Sequence, residues 1–129
     1  MIYITSTIHH SWNRKFNAKL CEALEKRGIK VYLPQRDTIQ DKKIIFKQNH
    51  RVISRVKAVL AIAINESPNW GVEIGFSYGI GKKVIALTQA RHEIPLMAKS
   101  MFSEVLEVKD PNNIKEYIDR LVKIIPQDN

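Results

Sequence analysis

Two hydrophobic periods alternate along this chain and divide it into strands and helices. Ile2 to Ile8 is rich in β-branched residues and predicts a first strand, with Thr5, Ser6 and Thr7 supplying hydroxyls near its end. Phe16, Leu20 and Leu24 fall at i, i+4 and i+8 on one helical face. Ser11 is placed to cap that helix, and Gly28, after Lys26 and Arg27, to stop it. Ile29 to Leu33 predicts a second strand closed by Pro34, and the polar run Gln35 to Lys43 predicts a loop. Ile44 to Lys57 carries Ile45, Val52, Ile53 and Val56 at helical spacing. Val59 to Ile64 is almost continuously apolar, as in a strand buried on both faces. Pro68 and Asn69 then open a helix, capped by Asn69, with Glu73 in its first turn. After Gly79-Ile80-Gly81-Lys82-Lys83 comes a strand over Val84 to Thr88. Pro95 opens a short helix carrying Leu96, Met97 and Met101, and Val105 to Val108 forms a short last strand. Asp110-Pro111 caps a final helix with the apolar stripe Ile114, Tyr117/Ile118, Leu121 and Ile124/Ile125.

Strands alternating with helices imply a parallel sheet covered on both faces. The expected fold is therefore α/β: a flavodoxin-like or Rossmann-like open sheet of about five parallel strands, one domain over residues 1–129. Such sheets bind ligands at the carboxyl ends of their strands. That rule makes the segments after each strand the places to look for chemistry.

Composition changes this picture little. An apolar fraction of 44% is ordinary for a globular protein. No apolar run approaches the roughly 20 residues of a membrane span. Met1-Ile2-Tyr3-Ile4 reads as strand rather than signal peptide. The lone Cys21 rules out an internal disulfide and fits a reducing, cytoplasmic setting, where it reads as a packing residue. The net charge of +8 favours anionic partners such as a phosphorylated small molecule, although a solvated basic surface accounts for it equally. Nucleic acid is not the expected partner, because the aromatic–basic interleaving of an RNA-binding sheet and the helix pattern of a DNA reader are both missing.

Four constellations could carry chemistry. Glu73 is a carboxylate at a helix start beyond a buried strand, where the positive helix end favours its charged form; the bland alternative is that it merely complements the dipole. Gly71 and Gly75 would let a ligand or neighbouring element approach closely, and Asn69 and Trp70 stand beside them. Tyr3 either packs in the core or donates a hydrogen bond to Glu73. Leu33-Pro34-Gln35-Arg36-Asp37 lies just past a strand end: Asp37 is the best second carboxylate, and Gln35 could read a base edge. The loop from Thr5, Ser6 and Thr7 through Arg14 could hold a phosphate with hydroxyls, a helix start and a guanidinium. His9-His10 is no metal signature, because adjacent residues on extended chain point apart; no metal or other cofactor is expected.

The stretch Trp70-Gly71-Val72-Glu73-Ile74-Gly75-Phe76, with Gly81-Lys82-Lys83-Val84-Ile85 after it, resembles the nucleoside 2-deoxyribosyltransferase family. Phe16-Asn17, Leu20, Leu24, Gly28 and Leu33-Pro34-Gln35-Arg36-Asp37 are similar to that family's first βαβ unit. The resemblance covers most of residues 1–88 and weakens after residue 90. It implies cleavage or transfer at the N-glycosidic bond of a nucleoside or nucleoside 5′-monophosphate. Glu73 would attack C1′ of the sugar, and Tyr3 would position it. The resemblance also implies a homodimer or larger homo-oligomer whose neighbouring subunit completes the pocket. Thr5-Ser6-Thr7-Ile8 looks like the phosphate-holding loop of the nucleotide N-glycosidase branch. Two positions depart from the pattern. Asn49 stands where many members have an acidic Asp for the leaving base, and an amide cannot deliver a proton as an acid can. Pro95, before Leu96 and the candidate contact Met97, stands where transferases contribute an Asn to a neighbouring site. These departures motivate an alternative: a non-catalytic nucleotide-sensing module on the same fold.

Overall fold

The computed structural model describes residues 1–127, so the last two residues of the expected 1–129 domain lie outside it. Its strands are β1 (Ile2–Thr5), β2 (Val31–Tyr32), β3 (Ala58–Ala63), β4 (Lys83–Gln89) and β5 (Glu104–Val108). Its α-helices are α1 (Ser11–Lys26), α2 (Pro34–Asp37), α3 (Ile45–Arg55), α4 (Pro68–Gly79), α5 (Leu96–Lys99) and α6 (Ile118–Ile124). The five strands form one parallel sheet in the order β2-β1-β3-β4-β5, the flavodoxin-like order expected.

The pleat divides the core in two. Ile2, Ile4, Leu60, Ile62, Ile85 and Leu87 point to one face, where Phe16, Leu20 and Leu24 of α1 and Leu121 of α6 cover them. Tyr3, Val59, Ala61, Ala63 and Val84 point to the other, beneath Ile53 of α3 and Trp70 and Ile74 of α4. Because side chains alternate along a strand, Tyr3 and Thr5 share the α3/α4 face. All six residues of β3 are buried, which accounts for its unbroken apolar run.

Element ends differ from the sequence reading in ways that local chemistry explains. β1 stops at Thr5. Ser11 is the first residue of α1 rather than its cap; His10 holds that position without a side-chain bond. Gly28 adopts φ +81°, so its N–H reaches the Glu25 carbonyl and that of Ile29 the Leu24 carbonyl, closing α1 as expected. Residues 34–37 form one helical turn instead of loop, with Pro34 at a first position that needs no N–H donor. The cap of α4 is Ser67, whose hydroxyl accepts from Trp70 N–H at 3.3 Å, so Asn69 is not the cap. Glu73 consequently sits in the second turn of α4, not the first. The final helix is broken: residues 114–116 form a 3₁₀ turn and α6 begins at Ile118. Buried Tyr117 occupies the break, its hydroxyl donating to the Pro111 carbonyl.

Candidate active site

The carboxyl ends of β1 and β3 and the start of α4 enclose a cavity of about 410 Å³. Its wall includes Ser6 and Thr7 after β1, Pro34 after β2, Lys42, Phe46, Asn49 and His50 around α3, and Asn69, Trp70, Val72 and Glu73 on α4. The loops around it are tied together. Buried Asn13 donates to Ser6 Oγ at 3.2 Å and to the Ile64 carbonyl at 2.9 Å, and accepts from Asn65 Nδ2 at 3.0 Å. Asn65 adopts φ +51°, which Asn tolerates better than most residues, and its carbonyl accepts from Thr7 Oγ1 at 2.6 Å. The two strand ends are thereby fixed to each other at the cavity.

Glu73 is the centre of the polar network. Its Oε2 accepts from the Tyr3 hydroxyl at 2.7 Å and from Asn49 Nδ2 at 3.4 Å, and its Oε1 accepts from Thr5 Oγ1 at 2.8 Å. Tyr3 and Thr5, two residues apart on β1, leave the sheet on the same face, so both hydroxyls reach the same carboxylate. Burial raises the Glu73 pKa; the bonds from Tyr3, Thr5 and Asn49 oppose that rise without cancelling it. In the second turn of α4, Glu73 also stands beyond the first turn over which the positive helix end acts. Burial, reinforced by the Glu73 charge, also pushes the Tyr3 phenol far above its ordinary range, so it remains a donor. The His50 ring lies between Phe46 and Phe76, with centroids 4.0 and 4.2 Å away, and burial lowers its pKa.

Several residues singled out from sequence lie elsewhere. Asp37 turns away from the cavity. Its Oδ1 accepts from Arg36 Nε at 2.7 Å and its Oδ2 from the Leu33 N–H at 2.9 Å. Burial opposes its ionisation, but these bonds and the guanidinium charge outweigh it and hold the carboxyl below its usual range. Gln35 accepts from Asn17 Nδ2 and donates to the Arg14 carbonyl, and Arg14 is an exposed α1 residue outside the cavity wall. Gly71 is exposed, and a Cβ added at Gly71 or Gly75 would meet nothing within 4 Å, so no packing within the chain requires either glycine. Met97 is 74% exposed and stands off the cavity. Thr5 touches Glu73 rather than the cavity wall.

Tyr32 and Thr38 were not legible as site residues, yet both join the network. The Tyr32 hydroxyl lies 2.7 Å from Thr38 Oγ1, which donates to Asn49 Oδ1 at 2.5 Å. Phe46 was also missed, although Phe46, Asn49 and His50 at i, i+3 and i+4 share a helix face. Trp70 lines the cavity, and among the described residues its buried indole N–H has no partner. Among those residues, too, no group of three or more His, Cys, Asp or Glu side chains is placed to hold a metal ion. Asp37→Asn is predicted to cost about 1 kcal/mol of stability in urea unfolding while leaving turnover near wild type. A hundredfold loss of turnover at unchanged stability would return Asp37 to the chemistry.

The same arrangement of sheet and helices occurs in solved structures. The 2-deoxyribosyltransferase of Bacillus psychrosaccharolyticus superposes with a TM-score of 0.76 at 20% identity, covering 98% of this chain and 98% of that one. A conserved protein from Enterococcus faecalis V583 gives 0.73 at 18% identity, covering 93% and 97%. The CMP N-glycosidase of Clostridium botulinum gives 0.66 at 18% identity, covering 94% and 97%. At these identities the likeness is one of fold. No curated protein is significantly similar in sequence. The family model for nucleoside 2-deoxyribosyltransferases, however, matches residues 2–117, a span that holds every residue of the Glu73 network as well as the sheet that positions it. With nearly the whole chain matched, this protein belongs to the nucleoside 2-deoxyribosyltransferase family.

Proposed function

We propose that the protein breaks the N-glycosidic bond of a nucleoside or nucleoside 5′-monophosphate, with Glu73 as nucleophile. The observation that carries this reading is the Glu73 carboxylate, held by Tyr3, Thr5 and Asn49 at the wall of a cavity large enough for a nucleoside. Oε2 has two donors and Oε1 one, so Oε1 keeps an acceptor position free on the protein side. In the proposed reaction a lone pair of Oε1 forms a bond to C1′ as the C1′–N bond breaks, and its electron pair leaves with the base. The base takes up a proton. Water or a second base then attacks C1′ and releases Glu73, so configuration is retained over two steps. Whether the product is a hydrolysed or an exchanged nucleoside depends on whether the site excludes water from the intermediate.

The leaving base needs a proton that the Asn49 amide cannot provide. Asp37 is held in its Arg36 pair, which leaves His50 or water. Burial lowers the His50 pKa, which disfavours the imidazolium form that would deliver the proton. Ser6, Thr7 and Lys42 on the wall suit a 5′-phosphate, as does the net charge of +8. Asn69 and Trp70 are the α4 contacts proposed for substrate. The buried free Cys21 fits a reducing cytoplasmic setting.

The reading includes a homodimer. Phe46 and Val72 at the cavity and Leu96 and Met97 on α5 are large apolar side chains left exposed in one chain, and α4 leaves open space over Gly71, Gly75 and Gly79. A second copy covering this face would complete the cavity. Met97→Glu is predicted to shift sedimentation toward monomer and to lower turnover with it; a monomeric wild type would contradict the dimer. Incubation with a panel of nucleosides and 5′-monophosphates, with and without acceptor base, tests the activity. Release or exchange of base is expected, and no turnover at stoichiometric enzyme refutes it. The Asn49 substitution favours a second reading, nucleotide sensing without chemistry, in which Glu73→Ala would leave nucleotide affinity intact and wild-type protein would form no covalent adduct.

A further inference from the structure

Two of the three donors on Glu73 lead back to one side chain outside the cavity wall. Tyr32 pairs with Tyr3 in the β2–β1 register, so the two rings leave the sheet side by side. They stack with centroids 5.6 Å apart and planes 11° from parallel. At its other end Tyr32 meets the polar chain through Thr38 to Asn49. The supply of hydrogens fixes the direction of that chain. An ionised Glu73 has no hydrogen to give, so Asn49 must present Nδ2 to it. Asn49 Oδ1 then faces Thr38, whose single hydroxyl hydrogen is committed there. Thr38 Oγ1 is left as acceptor, and the Tyr32 hydroxyl donates to it. Each bond runs one way, from Tyr32 to Thr38 to Asn49 to Glu73.

We propose that Tyr32 is a positioning residue for the Glu73 carboxylate: its ring fixes the Tyr3 phenol, and its hydroxyl, through Thr38, fixes which end of the Asn49 amide faces Glu73. The inference deepens the reading of Glu73 as nucleophile and rests on it for its functional meaning. The competing account is packing alone, since Tyr32 is partly buried against the cluster around Tyr3, and a phenylalanine would fill the same space. The two accounts differ in what happens when only the hydroxyl is removed. Without the Tyr32 hydrogen, Thr38 loses the partner that keeps its own hydrogen on Asn49. Without the Thr38 hydroxyl, the amide is free to turn Oδ1 toward Glu73, replacing an attraction with a repulsion. Both changes disfavour the charged carboxylate. The other titratable or charged groups on this side are Tyr3 from β1, His9 from the loop after β1, Lys42 from the loop before α3 and His50 from α3. All four are unchanged in Tyr32→Phe and Thr38→Val, so they serve as a constant background.

The test is a carboxyl ¹³C NMR titration of the free protein labelled at glutamate, the Glu73 signal being identified by its loss in Glu73→Gln. Tyr32→Phe and Thr38→Val are each expected to move the Glu73 midpoint upward, and Thr38→Ser to keep it at the wild-type position. The double variant should move no further than Thr38→Val, because the two changes cut one chain. In turnover, the acid limb of kcat should rise with the midpoint, and kcat/KM near neutral pH should fall about three- to tenfold. Wild-type midpoints in both single variants would overturn the positioning role even if the enzyme turns over. Shifted midpoints in a protein that cleaves no nucleoside would leave the positioning intact and refute the catalytic reading instead.

Discussion

Glu73→Ala is expected to fold and to lose base release by a factor of about 10⁴ or more, since on the proposed mechanism it removes the nucleophile and leaves only binding and orientation. The companion variant Glu73→Gln separates chemistry from stability. Glu73 has its pKa raised in the folded protein, chiefly by burial. Below the ordinary carboxylate range, folded and unfolded chains are both protonated there and the site costs nothing. As pH rises past that range the unfolded chain ionises first, and wild-type stability falls until the folded carboxylate ionises too. A glutamine has no such titration. The stability of Glu73→Gln relative to wild type should therefore increase from pH 4 to pH 8 in chemical denaturation. A difference that stays flat or shrinks over that range would mean that the carboxylate is not disfavoured by the fold.

Tyr3→Phe is the second large effect. The ring can keep its stack on Tyr32, so the change removes one hydroxyl from a packed position. That hydroxyl makes the shortest bond to the Glu73 carboxylate and is one of three that oppose the rise in its pKa. We expect kcat to fall about 10- to 100-fold. KM should change little, because Tyr3 lies beneath the carboxylate rather than on the cavity wall. The acid limb of the pH profile should move upward, since a carboxylate with one donor fewer ionises later. A wild-type limb in Tyr3→Phe would show that the phenol contributes packing and not electrostatics.

The alternation of strands and helices and the two-faced core were legible because period and turn residues agreed along almost the whole chain, from the unbroken run in β3 to Gly28 after α1. Placing two strand ends side by side left Tyr3 either packing in the core or bonding to Glu73, and the buried phenol does both. What escaped depended on rotation and depth, which periodicity does not encode. Ser67 and Asn69 are both good cap residues. The intervening Pro68 decides between them, because proline suits the first helical position and not the cap, and the choice moves Glu73 from the first turn of α4 into the second. Asp37 lies past a strand end as a site residue would. The single turn begun at Pro34, however, swings its carboxylate back to the Leu33 N–H and onto Arg36. Tyr32 and Thr38 carry no motif at all; their role comes from β2 lying beside β1 and from the turn that brings Thr38 against α3. The final helix breaks at buried Tyr117, whose hydroxyl donates to the Pro111 carbonyl, a choice that the apolar stripe does not encode.

The proposed reaction turns on one atom, a Glu73 oxygen that takes the sugar from its base. The most direct measurement is the intact mass of the protein quenched during reaction with 2′-deoxynucleosides and 2′-deoxynucleoside 5′-monophosphates, followed by peptide mapping. A mass increase equal to the deoxyribosyl or deoxyribosyl-phosphate group is expected, carried on the peptide that contains Glu73 and missing from Glu73→Ala. Base release by the wild-type protein with no adduct at any quench time, or an adduct that persists in Glu73→Ala, would contradict it.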